Sequence, residues 1–482
     1  MYKDDAVKEK TISEHSYEKD LEKLNDDDTS LSENQAQWDA IEIPEGGVQG
    51  WMTVVASFLF NCATWGSNSA YSIYLAHYLK YDLFPGATKL DYAAVGGICF
   101  GCGLNAAPVI RLCVNRLNTR SVIAFGGLLQ LAGILLAAFA TKIWQIYICQ
   151  GVMIGYGLGF IAIPSMTLVA QWFRKKRSLA MSITAAGAGV GGIIFNVAIQ
   201  QVLKEYGLRW ALISQAIICS VCTIIGLCLV RTRENEINSI LRVWDWKLFA
   251  NPGYLMFATY VCFCLLGFVV LVYNLADFTI SLGYSAHQGS IVACMISVGI
   301  VIGRPTVGKL SDKFGPVTVS IFTQLLVGLL CLAMWIPDRN LATSIAFAII
   351  QGGTMGSIWV VLAGIGARIA GLRKLDVALS MIWFLVGIFG MVSPVIGIKL
   401  RGQPPSGASY DPSQYKYPAI WCGVTYLISG LAMWVLRGYL IARDAQVEQQ
   451  VNAFEDNDEL HIKVTAQETM RGMFSLSKTR KV

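Results

Sequence analysis

Long apolar runs dominate the chain, interrupted by short polar stretches. Twelve of them approach or exceed the roughly 20 residues that a helix needs to cross a bilayer. They lie at roughly 51–75, 92–110, 121–140, 144–169, 178–202, 210–230, 253–280, 288–308, 316–336, 342–364, 377–399 and 418–437. Most connections between them are short. The two longer ones are 231–252, which falls midway, and 400–417. Lipid offers the backbone no hydrogen-bond partners, so only helices and closed barrels span it. The pattern therefore predicts an all-α membrane protein with twelve transmembrane helices in two six-helix bundles. Its predicted divisions are an acidic tail over 1–49, a first bundle over 50–230, a central loop over 231–252, a second bundle over 253–437 and a second tail over 438–482. The polar first fifty residues do not read as a secretory leader.

Composition supports this reading. The 482 residues are 54% apolar and 15% charged, against roughly 25% charge in soluble domains. Residues 1–45 hold fourteen of the 32 acids and the last 45 hold seven, so little acid remains for the apolar middle. The net charge of +6 comes from loops between apolar runs rather than from a basic face, which argues against a nucleic-acid partner. Placing both tails in the cytoplasm assigns 16 Lys and Arg to inner loops and nine to outer loops. That is the bias expected of cytoplasmic termini. Both tails read as disordered. Of thirteen cysteines, Cys99/Cys102 and Cys219/Cys222 have CxxC spacing, but no histidine stands near either pair. They read as small apolar helix residues, with neither metal nor other cofactor. No GxxxxGK[ST] run is present, which disfavours a primary pump. The chain reads as a carrier rather than an enzyme.

Candidate chemistry comes from polar residues inside the runs. Ser57, Asn61, Trp65, Asn68 and Ser72 recur at helical spacing in span 1. A polar stripe there must face other helices or a water-filled cavity. Tyr273, Asn274, Asp277 and Ser281 form a similar face late in span 7. Asp277 reads either as a proton-coupling group or as a solvated residue at the outer mouth. Arg304 lies about one and a half turns inside span 8. It reads either as a snorkelling side chain or, facing a cavity, as an anion site. Glycine runs in span 4 (Gly151, Gly155, Gly157, Gly159) and span 5 (Gly187, Gly189, Gly191, Gly192) allow close helix approach. The loops Val114-Asn115-Arg116-Leu117-Asn118 and Ser311-Asp312-Lys313-Phe314-Gly315 occupy matching places in the two halves. Repeated halves are a common transporter build, with the solute site between them. Arg116, Asp312 and Lys313 are the expected inner-gate residues.

The stretch from Gln171-Trp172-Phe173 through the basic residues 174–177, Leu179-Ala180 and a small-residue run ending in Ala186-Gly187 resembles a signature of the monocarboxylate transporter family of the major facilitator superfamily. Glu45-Gly46-Gly47-Val48-Gln49-Gly50-Trp51 is similar to that family's entry into span 1, with one extra residue. Gly303-Arg304-Pro305, with Gly308 following, looks like its span-8 motif, whose arginine binds substrate. Trp65 to Ala70 and Tyr74-Leu75-Ala76 resemble the fungal branch. The resemblance covers roughly 45–440. Two positions depart from it. Ile300 stands where proton–lactate members have an aspartate, and no lysine occurs between Gly50 and Leu79.

The resemblance implies secondary transport of a small organic solute, most simply a carboxylate, by alternating access, with proton symport as an option. Arg304, Asn61, Trp65, Asn68, Tyr273, Asn274 and Trp383 are the expected solute contacts, and Asp277 is the proton-coupling candidate. One alternative is a larger aromatic solute such as riboflavin, stacked on Trp65, Tyr273 and Trp383. Another is a nutrient sensor that keeps the fold without transporting. The expected setting is a monomer in the plasma membrane rather than the vacuolar membrane.

Overall fold

The computed structural model describes residues 46–475, apart from 82, 85, 174–175, 234–243, 372–373, 403–410 and 454–463. The N-terminal acidic segment up to Glu45 and most of the charged central loop lie outside the described residues.

The described residues are helical, with no strand among them. Twelve spans follow in order. Span 1 comprises Gly47–Asn61, a π-turn at Cys62–Gly66, and Tyr71–Tyr81. Span 2 is the bent pair Lys89–Asn105 and Ala107–Arg116. Span 3 is Thr119–Ala137 and span 4 is Ile143–Ala170. Spans 5 and 6 share one helical run, Arg177–Leu229, which reverses at Gly207 (φ 83°, ψ 178°). A side chain rarely adopts that backbone, so glycine permits a turn without a loop. Spans 7 and 8 are Pro252–Ser281 and Ala286–Phe314. Span 9 is Pro316–Trp335 and span 10 is Leu341–Ala370. Spans 11 and 12 are Leu375–Leu400 and Lys416–Ala453.

The helix ends follow local chemistry. Asn251 accepts from the Gly253 N–H and Pro252 opens span 7, while Ser285 and Gln288 form a reciprocal cap on span 8. Phe125, Leu128, Trp144, Ile224, Phe322 and Leu329 are exposed on the outer faces. Lipid accommodates such residues without cost.

Spans 1–6 and 7–12 form two bundles that meet along two seams, span 5 against span 8 and span 2 against span 11. One face of the molecule carries the start of span 1 and the end of span 12. It is called the tail side below, and the opposite face the far side.

The C-terminal part differs from the tail expected over 438–482. Span 12 continues as helix to Ala453, and a further helix, Ala466–Met473, packs back against it. The signal was local: Thr465 and Glu468 cap each other. The Thr465 backbone N–H, then its hydroxyl, hold the Glu468 carboxyl below the usual carboxylate range.

Candidate substrate-binding site

Arg304 sits in span 8 where three elements converge. Gly303 and Gly353 bring spans 8 and 10 into backbone contact, since a Cβ on Gly303 would lie 2.1 Å from Gly353 Cα. Span 10 is interrupted at Gly356, and a Cβ on that glycine would come within 2.8 Å of Arg304 Nε. The guanidinium therefore fills space that any other residue at 356 would occupy. It crosses the seam, and Nη1 donates to the Ala185 carbonyl of span 5 at 2.5 Å. Arg304 is 5% exposed, and its Nε is buried without a hydrogen-bond partner. No ion pair to Arg304 occurs among the described residues. A buried cation held by one carbonyl is electrostatically incomplete.

An aromatic wall begins one turn along from Gly356. The Trp359 N–H donates to the Gly356 carbonyl at 3.3 Å. The Trp359 ring stacks on Trp383 of span 11, centroids 5.4 Å apart and planes 9° apart. On another side it meets Trp65 of span 1 at 5.6 Å, and Phe268 of span 7 stands edge-on at 6.3 Å. Trp65 also contacts Phe100 of span 2 at 5.2 Å. Five spans from both halves thus converge on one aromatic cluster. Trp65 Nε1 and, at the span 2/11 seam, Asn105 Oδ1 are buried without partners. A cavity of about 30 Å³ lies on the tail side of Trp383, between spans 2, 4 and 11. It has room for about one water.

The other expected contacts are distributed differently. Asn61 is buried, and its amide donates to the Ser57 carbonyl one turn back. Asn68 Oδ1 faces Cys99 Sγ at 3.6 Å. Asn274 donates to the Val270 carbonyl and lies against Gly397 of span 11. The Tyr273 hydroxyl approaches Gly96 of span 2. Asn61 and Asn274 thus bond back to their own helices, and Asn68, Tyr273 and Asn274 also contact a neighbouring span, whereas Trp65 and Trp383 belong to the cluster near Arg304. Asp277 is 56% exposed at the far-side end of span 7, its carboxylate 3.2 Å from Arg401 Nη1. Ile300 packs on Gly189 at the span 5/8 seam. Sequence reasoning missed Trp359, Phe268 and Phe100. The Gly352-Gly353-Thr354-Met355-Gly356 run was the available signal for Trp359, because a broken helix marks where a side chain enters from a neighbour.

On the tail side, the Asp312 carboxylate of span 8 accepts from the Ser178 and Leu179 N–H groups of span 5, at 3.1 and 2.9 Å. These are among the free donors at that helix's start, so Asp312 caps a helix belonging to the opposite half. Arg116 is exposed at the end of span 2, and the Lys313 ammonium lies 5.2 Å from the Phe314 ring. Neither has a described contact with Asp312. Two stretches far apart in sequence meet close by. Gly46 N–H donates to the Trp172 carbonyl, and the Trp51 ring stands edge-on to Phe173 at 5.2 Å. Glu45, Arg174 and Lys175 lie outside the described residues.

Comparison with known proteins agrees with this architecture. The family model described as Major Facilitator Superfamily matches residues 53–394. The chain is 44% identical over 440 residues to "Probable transporter MCH2" of Saccharomyces cerevisiae, covering 90% of this chain and 92% of that protein. It is 29% identical to "Uncharacterized transporter ESBP6" of the same yeast, over 83% of this chain and 61% of that one. It is 24% identical to yeast "Riboflavin transporter MCH5", over 83% and 80%. The chain is an integral multi-pass membrane protein of the major facilitator superfamily, in its fungal monocarboxylate transporter-like branch.

Proposed function

We propose that this protein carries a carboxylate-bearing organic solute by alternating access, holding the anion at Arg304 beside the Trp359 wall. The observation that carries the reading is Arg304 itself, buried at a seam between the halves, bonded across it and lacking an anionic partner among the described residues. A charged side chain within a bilayer costs about 2.5–3.5 kcal/mol or more unless compensated. A carboxylate would supply the missing charge and accept from Nε. Binding there would alter the contact between the halves, which is how a solute biases their rocking.

The tail side is read as cytoplasmic from the distribution of Lys and Arg, with the bundle divisions as set out above and the protein acting as a monomer in the plasma membrane. Asp312 then works as a tail-side latch that breaks when the solute path opens inward. Asp277, exposed and ion-paired, is read as a far-mouth residue that takes no part in coupling. The driving force is the solute gradient, or a proton carried in by the solute itself.

The aromatic cluster favours a second reading, a flat aromatic solute, and one relative's name includes riboflavin. Uptake into proteoliposomes separates the two. Labelled carboxylates should enter with wild-type protein and fail with Arg304→Gln, whereas a flavin carrier should be more sensitive to Trp359→Leu. Ligand binding without uptake of either class would overturn both readings and leave the sensor.

A further inference from the structure

Span 1 enters on the tail side beside the end of span 6, and the two leave a groove of about 640 Å³ between them. Its lining is Gly47, Val48, Trp51, Met52 and Val55 of span 1 and Leu229 of span 6. These side chains are apolar, and three of them recur at helical spacing on the outer face. Val48, Trp51 and Val55 are 78%, 39% and 50% exposed. Gly47 keeps the entrance clear, since a Cβ there would meet nothing within 4 Å. From Gly47 to Val55 the groove follows the axis of span 1 for about 12 Å at 1.5 Å per residue, the direction in which acyl chains run.

Cations stand at its span 6 wall. Val230 has an extended backbone (φ −64°, ψ 136°) and turns inward, fully buried, which leaves Arg231 exposed on the outside. The Arg231 carbonyl accepts from the Trp172 indole at 3.3 Å and from the Thr53 hydroxyl at 3.4 Å. Thr53 adjoins Met52, so these bonds fix Arg231 beside the groove. Arg120, exposed at the start of span 3, brings its guanidinium to the same place, where Nη2 donates to the Val230 carbonyl at 2.6 Å. No ion pair to Arg120 or Arg231 occurs among the described residues.

One ligand satisfies both features. The groove opens onto the bilayer, where lipid is the solvent, and its apolar walls suit a chain of methylenes. Arginine stems reach from the edge of the hydrocarbon to the level of the headgroups. The planar guanidinium fork matches phosphate oxygens. Basic pockets beside membrane helices accordingly select anionic headgroups. A zwitterionic lipid offers the same chain, but its ammonium offsets the phosphate charge.

We infer that the groove between the tail-side ends of spans 1 and 6 is a binding site for one anionic phospholipid. Its acyl chain lies along Val48, Trp51, Met52 and Val55, and its phosphate meets Arg120 and Arg231. The bound lipid ties the entrance of span 1 to the end of span 6, both in the first bundle.

The test places the photocrosslinker p-benzoylphenylalanine at Val48 in the full chain. The protein is held in nanodiscs of phosphatidylcholine with a minority of phosphatidylserine, and the adducts are weighed by mass spectrometry. Both faces of a nanodisc carry the same lipid, so the result does not depend on which way the protein is oriented in a cell, nor on the solute proposal. Phosphatidylserine adducts should exceed their share of the mixture about tenfold or more. The same crosslinker at Phe322, 70% exposed on the outer face of span 9, should report the bulk proportion. The pair Arg120→Gln, Arg231→Gln should return the Val48 adducts to the bulk proportion. The pair Arg120→Lys, Arg231→Lys should keep most of the enrichment, with the thermal midpoint unchanged in both. Bulk proportions at Val48 in the otherwise unchanged protein would overturn the inference, as would equal enrichment at Phe322. An enrichment that survives the glutamine pair, or crosslinks chiefly to a peptide of the protein itself, would also overturn it.

Discussion

Along the seam between spans 5 and 8 the two halves touch through polar and charged groups. Arg304 reaches the Ala185 carbonyl, Asp312 caps the start of span 5, and Ser297 faces Gly192. Along the seam between spans 2 and 11 they touch through small and neutral residues. Gly97 and Gly101 lie on Met391, Phe100 on Gly390, and Asn105 on Gly387. The first seam can therefore respond to the charge of a bound solute. None of these contacts of the second is charged, and they separate chiefly at the cost of dispersion. Under the proposed function, sensing and sliding fall at different places.

The sharpest way to break this contrast is at Arg304. Removing one partner from a buried charged contact costs 2–5 kcal/mol, so Arg304→Gln should lower carboxylate uptake by at least about 30-fold, with Arg304→Lys retaining part. Unchanged uptake in Arg304→Gln would remove charge sensing from the seam. Next in size is Asp312→Asn, which weakens two charge-assisted bonds, each worth about 1.5–3 kcal/mol when a charged group takes part. Exchange of the Ser178 and Leu179 amides should rise about tenfold, while neighbouring amides of span 6 stay unchanged. On the neutral seam, a Cβ at Gly97 would lie 2.9 Å from the Met391 carbonyl. Overpacking costs at least about 1 kcal/mol, so Gly97→Ala should slow uptake about fivefold without altering preference for charged over neutral solutes. A change in that preference would show that both seams read charge. The smallest effect is expected at Asp277→Asn. Exposed ion pairs contribute about 0–1 kcal/mol, so uptake under an imposed pH gradient should stay within about twofold of wild type. A collapse of the gradient response would return Asp277 to the coupling machinery.

How far the sequence could reach differs by residue. Twelve spans and two halves were legible because apolar length is a one-dimensional property. Arg304 was legible because a charge inside an apolar run is conspicuous. The span 1 stripe was only partly so. Straight-helix spacing puts Ser57, Asn61, Trp65, Asn68 and Ser72 on one face, but the π-turn at Cys62–Gly66 and the break at Ser69-Ala70 rotate it. Ser57 then bonds the Ser165 carbonyl of span 4, Trp65 joins the aromatic cluster, and Ser72 is exposed. Trp359 was hidden for the opposite reason. A tryptophan within an apolar run is unremarkable until rings from three other spans are seen to converge on it. Asp312 was named as a gate residue, but its partners are main-chain groups, and a sequence does not mark those.

That choice of partner makes the latch unequal in its tolerance of change. Ser178 and Leu179 contribute only amide nitrogens to Asp312, and every residue except proline supplies one. Span 5 can therefore accept many alternatives at both positions without losing the contact, provided the helix still starts there. Span 8 has far less freedom, because a side chain at 312 that is not a carboxylate weakens both bonds at once. Drift at one end of the contact goes unnoticed, and drift at the other disables it in a single step.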